Sequence, residues 1–368
     1  MHHRFAMMGF FIVASLIVTL TGRMQGFAVD QAIHIRPDGL VDPSTAPIVT
    51  ADNFTYLMTD DVYTTVSIER DNIIFNGANH SVQGSSAFGT NGIELSGRTN
   101  VTIQYVGIVE FWQGIYIFES SHITVGENLV TDHYNGIMIM SSSNCWVARN
   151  NVASNYNDAI YLENCTNPTV LGNQIRGSDL TNHDYGITLN FSSNSTINGN
   201  RIWNIEFGIG IQNSSNSEVS ENNVSTVNQY ALWLASSTNN ALWENSFTNN
   251  TIGVWLSSAS TNLFYNNNFV NNTFQVQAGG TISDWNNTYP LGGNYWSDYN
   301  GKDSSNGQFQ NETGSDGIGD APYVIDDKNQ DQYPFMYIIP EYPSMAIAMV
   351  FIMSTLLITV YRRNIQNA

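Results

Sequence analysis

From Gly92 onward the chain repeats a single short pattern, in which a small residue opens a run of apolar, variable and apolar positions. It reads Gly92-Ile93-Glu94-Leu95, Gly114-Ile115-Tyr116-Ile117, Gly136-Ile137-Met138-Ile139 and Ala159-Ile160-Tyr161-Leu162. It continues as Gly186-Ile187-Thr188-Leu189, Gly208-Ile209-Gly210-Ile211, Ala231-Leu232-Trp233-Leu234 and Gly253-Val254-Trp255-Leu256, with a degenerate copy at Gln275-Val276-Gln277. The steps between copies are 22, 22, 23, 27, 22, 23, 22 and 22 residues. Alternation over four residues is the mark of a strand buried on one side. A constant period of this length is the mark of a solenoid. Leucine-rich repeats share the length but need leucine-dominated and helical segments, which the pattern lacks.

Counting the opening residue as zero, position eleven is Ile103, Val125, Val147, Val170, Ile197, Val219, Leu242 and Phe264. Position sixteen is Ile108, Val130, Val152, Ile175, Ile202, Val224, Phe247 and Phe269. With positions one and three, each repeat sends four apolar side chains inward. Stacked at the inter-strand distance of about 4.8 Å, they form a core that no repeat builds alone. Position eight is Asn100, Asn144, Asn167, Asn194, Asn216 and Asn239, interrupted by His122. Position fourteen is Asn128, Asn150, Asn173, Asn200, Asn222, Asn245 and Asn267. Asparagine tolerates left-handed turns, and its amides hydrogen-bond from rung to rung when stacked. The pattern therefore predicts an all-β chain: a right-handed single-stranded parallel β-helix of about nine to ten coils.

The expected organisation is a signal sequence over 1–28, an N-terminal cap and first coil over 31–90, and repeats over 91–279. A C-terminal cap over 280–339 and an anchor over 340–368 complete it. His2, His3 and Arg4 precede an apolar run from Phe5 to Leu20, with small residues near Ala28, as in secretory signals. Met345 to Tyr361 is a continuous apolar run closed by Arg362 and Arg363, the short limit for a membrane-spanning helix with a cytoplasmic basic end. Together these predict a chain displayed on the outer face of the cell membrane. Acidic residues outnumber basic ones 31 to 12, a formal charge of −19, which excludes a nucleic-acid partner. Export would permit a bridge between Cys145 and Cys165, but their register leaves them roughly 10 Å apart, so they read equally as small apolar fillers.

The stretch Ile35-Arg36-Pro37-Asp38-Gly39, with Val41-Asp42-Pro43 and Glu69-Arg70-Asp71-Asn72-Ile73-Ile74, resembles the entry to the NosD-like β-helix proteins of archaea. The stretches Gly293-Asn294-Tyr295-Trp296-Ser297-Asp298-Tyr299, Asp316-Gly317-Ile318-Gly319-Asp320-Ala321-Pro322-Tyr323 and Asp331-Gln332-Tyr333-Pro334 are similar to its close. The resemblance spans about residues 33 to 337. Pro340-Glu341-Tyr342-Pro343, ahead of the final apolar run, resembles a PEF-type sorting signal, with Tyr where Phe is usual. That implies attachment to a lipid by an archaeosortase; a retained transmembrane helix is the alternative. The family name implies copper, for which Cys, Met and His are the suited ligands. Met138 and Met140 with His133 are the nearest such grouping in the sequence.

Strand alternation puts position two on the outside, so Tyr116, Tyr161, Trp233 and Trp255 lie on an exposed sheet. They are candidates to hold sugar rings, or else a ladder that only stabilises the solenoid. The polar turn before each coil adds Glu110, Asp132, His133, Asp158, His183, Asp184 and Glu206, with Tyr134, Tyr156 and Tyr185 between them, and the one long coil places its extra residues there. Asp132, His133, Asp158, His183 and Asp184 are candidates for acid–base cleavage of a polysaccharide. Solvated turn residues and a metal site are the other readings. Asp316 and Asp320, around glycines, are a candidate calcium site. Twelve Asn-x-Ser/Thr sequons offer glycan attachment on an exported chain. Three functions stay open: a surface protein that binds or structures envelope polysaccharide, a polysaccharide lyase, hydrolase or epimerase, and a NosD-like copper-binding accessory protein.

Overall fold

Apolar residues spaced as above cannot be buried within one 22-residue repeat, so neighbouring repeats must cover one another. The computed structural model describes residues 32–178 and 184–340. There the chain winds as a parallel β-solenoid whose walls are sheets of twelve, eleven and ten strands. The described part is all-β. Among the described residues no helix is long and apolar enough to cross a membrane. The signal sequence, the sorting motif beyond Pro340, the membrane helix and His183 lie outside the described residues.

The register follows the repeat. Tyr116 pairs with Met138, Met138 with Tyr161, Tyr161 with Thr188, Thr188 with Gly210, Gly210 with Trp233, and Trp233 with Trp255. Positions one, three, eleven and sixteen are buried in each coil from Ile93 to Phe269. Each such side chain contributes roughly 1.5–3 kcal/mol by leaving water.

The two asparagine files divide the labour expected of both. Position eight carries the left-handed backbone, with φ of 55° at Asn100, 53° at Asn167 and 57° at Asn239. His122 and Thr261 hold the same conformation in their coils. Position fourteen is not left-handed; the residue before it is, as at Glu127, Arg149 and Glu244. Its asparagines are instead buried and joined amide to amide. Each side-chain amide donates to the next, from Asn128 through Asn150, Asn173, Asn200, Asn222, Asn245 and Asn267 to Asn294, at 2.9–3.0 Å. A serine file at position six adds a second ladder, in which Ser142, Ser192, Ser214 and Ser237 each accept a backbone N–H from the coil before. Cys165 occupies that file and Cys145 the file at position nine; both are free and buried, and no bridge joins them.

The solenoid starts earlier than the repeat motif. Ile33–Ile35 pairs in parallel with Val66–Ile68, and Val66 in turn with Ile93. Residues 33–83 are thus coil, covered by the antiparallel pieces Val41–Asp42 and Ile48–Thr50. At the far end Tyr295–Trp296 joins the third sheet and Asn294 extends the asparagine ladder by one rung. Trp285 stacks on Phe264 at 4.2 Å and Trp296 on Phe269 at 4.3 Å, closing the core with flat rings.

Candidate functional site

Each long strand of the first sheet presents a residue outward, two inward, then one outward. Residue 91 is half-buried, 92 and 93 buried, 94 half-buried. The ladder skips the opening residue: Gln113 pairs with Asn91 and Ile115 with Ile93. Two columns therefore share the outer face, position two and the residue before zero. The second column is Asn91, Gln113, Asn135, Asp158, Tyr185, Phe207, Tyr230.

Around coils four to eight these columns form one aromatic surface. Tyr185 stacks on Phe207 at 4.5 Å and 10°. Tyr230 stacks on Trp255 at 5.1 Å, and Trp233 meets Trp255 at 6.1 Å. The ring of Trp233 leans back over Gly210, where a Cβ would stand 3.2 Å from it. Ring faces here meet other rings, so much of the stacking surface expected to meet a ligand is used within the protein. Tyr116 lies further along the face, with its ring 6.4 Å from that of Phe118.

Asp158 lies beneath this surface, only 7% exposed. Its Oδ1 accepts the Thr188 hydroxyl at 2.5 Å and its Oδ2 the Asn157 amide at 2.8 Å. Burial pushes its carboxyl up to about 6, against the Thr188 hydrogen bond. The charges of Asp158 and Glu206 both act on Tyr185, whose hydroxyl is raised chiefly by burial. Asp184 is buried too, and its carboxylate accepts the backbone N–H of Ser178 at 3.1 Å and of Glu206 at 2.9 Å. It ties the chain on either side of the long turn, and burial raises its carboxyl despite those bonds.

His133 is a rung of the solenoid. It is 3% exposed, its Nδ1 accepts the Phe111 N–H at 3.0 Å, and its Nε2 faces the Ile108 carbonyl at 3.0 Å. Asn155, Asn250 and Asn272 do the same work at this position, each accepting the N–H of the coil before. Burial drives the imidazole down to about 4. Of the acid–base candidates, the structure thus exposes Asp132 and buries His133, Asp158 and Asp184, on separate hydrogen-bonding duties.

Asp132 stands on a left-handed turn, φ 64°, one rung from Glu110, φ 61°. The Glu110 N–H donates to the Thr131 carbonyl at 3.3 Å and the Asp132 N–H to the Ala153 carbonyl at 3.4 Å, and both side chains are exposed. Beside them runs an aromatic file in which Phe88 and Trp112, not singled out in the sequence, join Tyr134 and Tyr156 of the polar turn. Phe88 packs on Trp112 at 4.7 Å, Trp112 stacks on Tyr134 at 4.0 Å and 3°, and Tyr134 stacks on Tyr156 at 5.7 Å. Phe88 is 83% exposed and Tyr156 60%. Trp112, Asp132, Tyr134, Ser154 and Tyr156 line an open groove of about 480 Å³. The available signal for Trp112 was its place two residues before the opening glycine, the same as that of Tyr134 in the next coil.

Among the described residues no group of three His, Cys, Asp or Glu side chains is arranged to hold a metal ion. Asp320 accepts the Ser304 hydroxyl and the N–H groups of Ser304 and Ser305, and Asp316 accepts the Ile318 N–H and the Gln310 amide. Both aspartates hold turns of the C-terminal cap. The copper donors do not fit a site: the His133 nitrogens are engaged, the Met138 sulfur accepts the Gln113 amide, and burial pushes the Cys145 thiol up to about 11.

Two family models match the chain, "Periplasmic copper-binding protein (NosD)" over residues 173–301 and "Right handed beta helix region" over residues 64–204. No curated protein matches it significantly in sequence. Among solved structures it is similar to DFA-IIIase from Arthrobacter chlorophenolicus A6 without its lid, at 15% identity and a TM-score of 0.47, over 64% of this chain and 63% of that one. The chain thus spans less than two thirds of that enzyme's length. A double mutant of the periplasmic alginate epimerase AlgG is 13% identical, with a TM-score of 0.52 over 65% of this chain and 79% of that one. A tailspike protein of an Escherichia coli bacteriophage is 15% identical, with a TM-score of 0.45 over 58% and 38%. At these identities the likeness is one of fold. Sequence models and architecture agree on a right-handed parallel β-helix.

Proposed function

We propose that this protein binds polysaccharide, without cleaving it, along the turn groove and the adjoining outer face of the first sheet. The observation that carries the reading is the file Phe88, Trp112, Tyr134 and Tyr156, open to solvent on a rigid scaffold beside the exposed carboxylates Glu110 and Asp132. Aromatic side chains held by packing lose little entropy on binding, and their apolar bodies with polar tips suit a ring that carries hydroxyls. Binding is favoured over catalysis because His133, Asp158 and Asp184 spend their polar atoms on backbone, Thr188 and Asn157. The apolar segments at both ends of the sequence support display on the outer face of the membrane.

The test is isothermal titration of the purified protein against a panel of neutral, acidic and amino-sugar oligosaccharides, each also assayed for cleavage. Binding that weakens about tenfold or more in Trp112→Ala and Tyr156→Ala supports the reading. No binding to any glycan, or turnover that Asp132→Asn abolishes, overturns it.

A further inference from the structure

The groove and the face beside it differ from the rest of the surface in the charges they lack. The eight long strands and the last short one of the first sheet, from Asn91 to Gln277, contain Glu94, Asp158 and Glu163 but no Lys, Arg or His. The groove itself carries Asp132 in its lining, with Glu110 exposed one rung away, and its one imidazole, His133, is buried and held neutral. Two arginines occur between Gly84 and Asn157, and both are turned to other work. Arg98 donates to the Glu69 carbonyl at 2.8 Å and lies 3.6 Å from Asp71. Arg149 pairs with Glu127 at 3.2 Å, on a different turn of the coil.

Resting on the glycan-binding reading above, we infer that the groove takes a polymer of sugars bearing free amino groups and rejects polyuronates. Glu110 and Asp132 stand at the same place on adjacent rungs, whose backbones are about 5 Å apart, so one ammonium group on a ligand can face both carboxylates. The faces of Trp112 and Tyr134 are covered by neighbouring rings, so the stack offers a cation the outer face of Tyr156, which attracts it by the ring quadrupole. A uronate in the same place meets Asp132 in a lining that contains no Lys or Arg, the adjacent Arg176 standing one rung beyond Ser154, and like charges at an interface select against a ligand as firmly as contacts select for one.

The experiment compares hexamers of glucosamine, N-acetylglucosamine and galacturonate with the full chain at mildly acidic pH and two salt concentrations. The glucosamine hexamer should bind about tenfold tighter than its acetylated counterpart, with a preference that shrinks in high salt, and the galacturonate hexamer should not bind. Glu110→Gln with Asp132→Asn should abolish the preference, so that the glucosamine hexamer binds no tighter than its acetylated counterpart. Glu312→Gln, on the C-terminal cap, should keep it. Galacturonate binding as tightly as glucosamine, or a preference lost equally in Glu312→Gln, overturns the assignment. If none of the three binds, the glycan-binding reading itself fails.

Discussion

Asn150 and Asn173, 23 residues apart in sequence, sit on adjacent rungs with the Asn150 side-chain amide 3.0 Å from Oδ1 of Asn173. The same oxygen accepts the Asn150 backbone N–H at 2.9 Å, and the Asn173 amide donates to the Val147 carbonyl and to Asn200. One side chain thus satisfies buried groups on both neighbouring coils, where water cannot reach them.

Removing such a rung leaves buried donors without acceptors, which costs more than the bonds themselves. Asn173→Ala should destabilise the protein by about 2–4 kcal/mol. Asn128→Ala, at the start of the ladder, should cost about half that, because its Oδ1 serves only the Val106 N–H. Urea unfolding midpoints of the two variants check this, and equal losses would refute the ladder's role.

His133 shares its file with asparagines, so His133→Asn should fold and bind glycan as the parent does. Its imidazole is neutral when buried, with its proton affinity lowered from 6.5 to about 4. The stability this contributes is present above pH 6.5 and is lost as pH falls towards 4, because the unfolded chain takes up the proton first. His133→Asn should remove that part of the acid sensitivity, seen as a flatter plot of melting temperature against pH below 6.5.

Asp158 titrates in the opposite sense. Its carboxyl is raised from 3.8 to about 6, so the folded state holds the proton more tightly than the unfolded one. Stability is greatest below pH 3.8 for this group and falls as pH rises through 6. Asp158→Asn keeps an acceptor for the Thr188 hydroxyl and removes the buried charge, at the loss of one acceptor for the Asn157 amide, which retains its bond to Asn135. It should stabilise the protein by roughly 2 kcal/mol at neutral pH and hardly at all at pH 4. A variant less stable than the parent at neutral pH would refute this account of the carboxyl's environment.

Gly210 gives the Trp233 ring its place. Gly210→Ala should displace the ring and cost about 1 kcal/mol. In a Trp233→Ala background the same change should be neutral or stabilising, since the added Cβ meets no ring and alanine restricts the unfolded chain. The double-mutant cycle from thermal melts measures this coupling, and additive effects would show that the two residues do not interact.

The core and the rungs were legible in the sequence because each coil repeats them. Ile103, Val125 and Val147 recur at one interval, and a fixed interval in a solenoid is a fixed address. The site was legible only in part. The position-two column placed Tyr161, Trp233 and Trp255 on the outer face correctly, but simple alternation concealed the second outward column with Tyr185 and Phe207. The strand skips a pairing at its opening residue, and that geometry is not written in the apolar pattern. Phe88 lies outside the repeat, so only folding brings it onto Trp112.

Composition and period by themselves determined the parallel stack, its inward residues and its acidic surface, because these follow from what each repeat must bury and what it leaves in water. Tertiary structure alone decided which polar residues were free to meet a ligand. His133, Asp158 and Asp184 look like Asp132 along the chain, yet they are buried because neighbouring coils enclose them and use their polar atoms. Whether a side chain is enclosed depends on residues a full coil away, which no local reading of the polypeptide weighs.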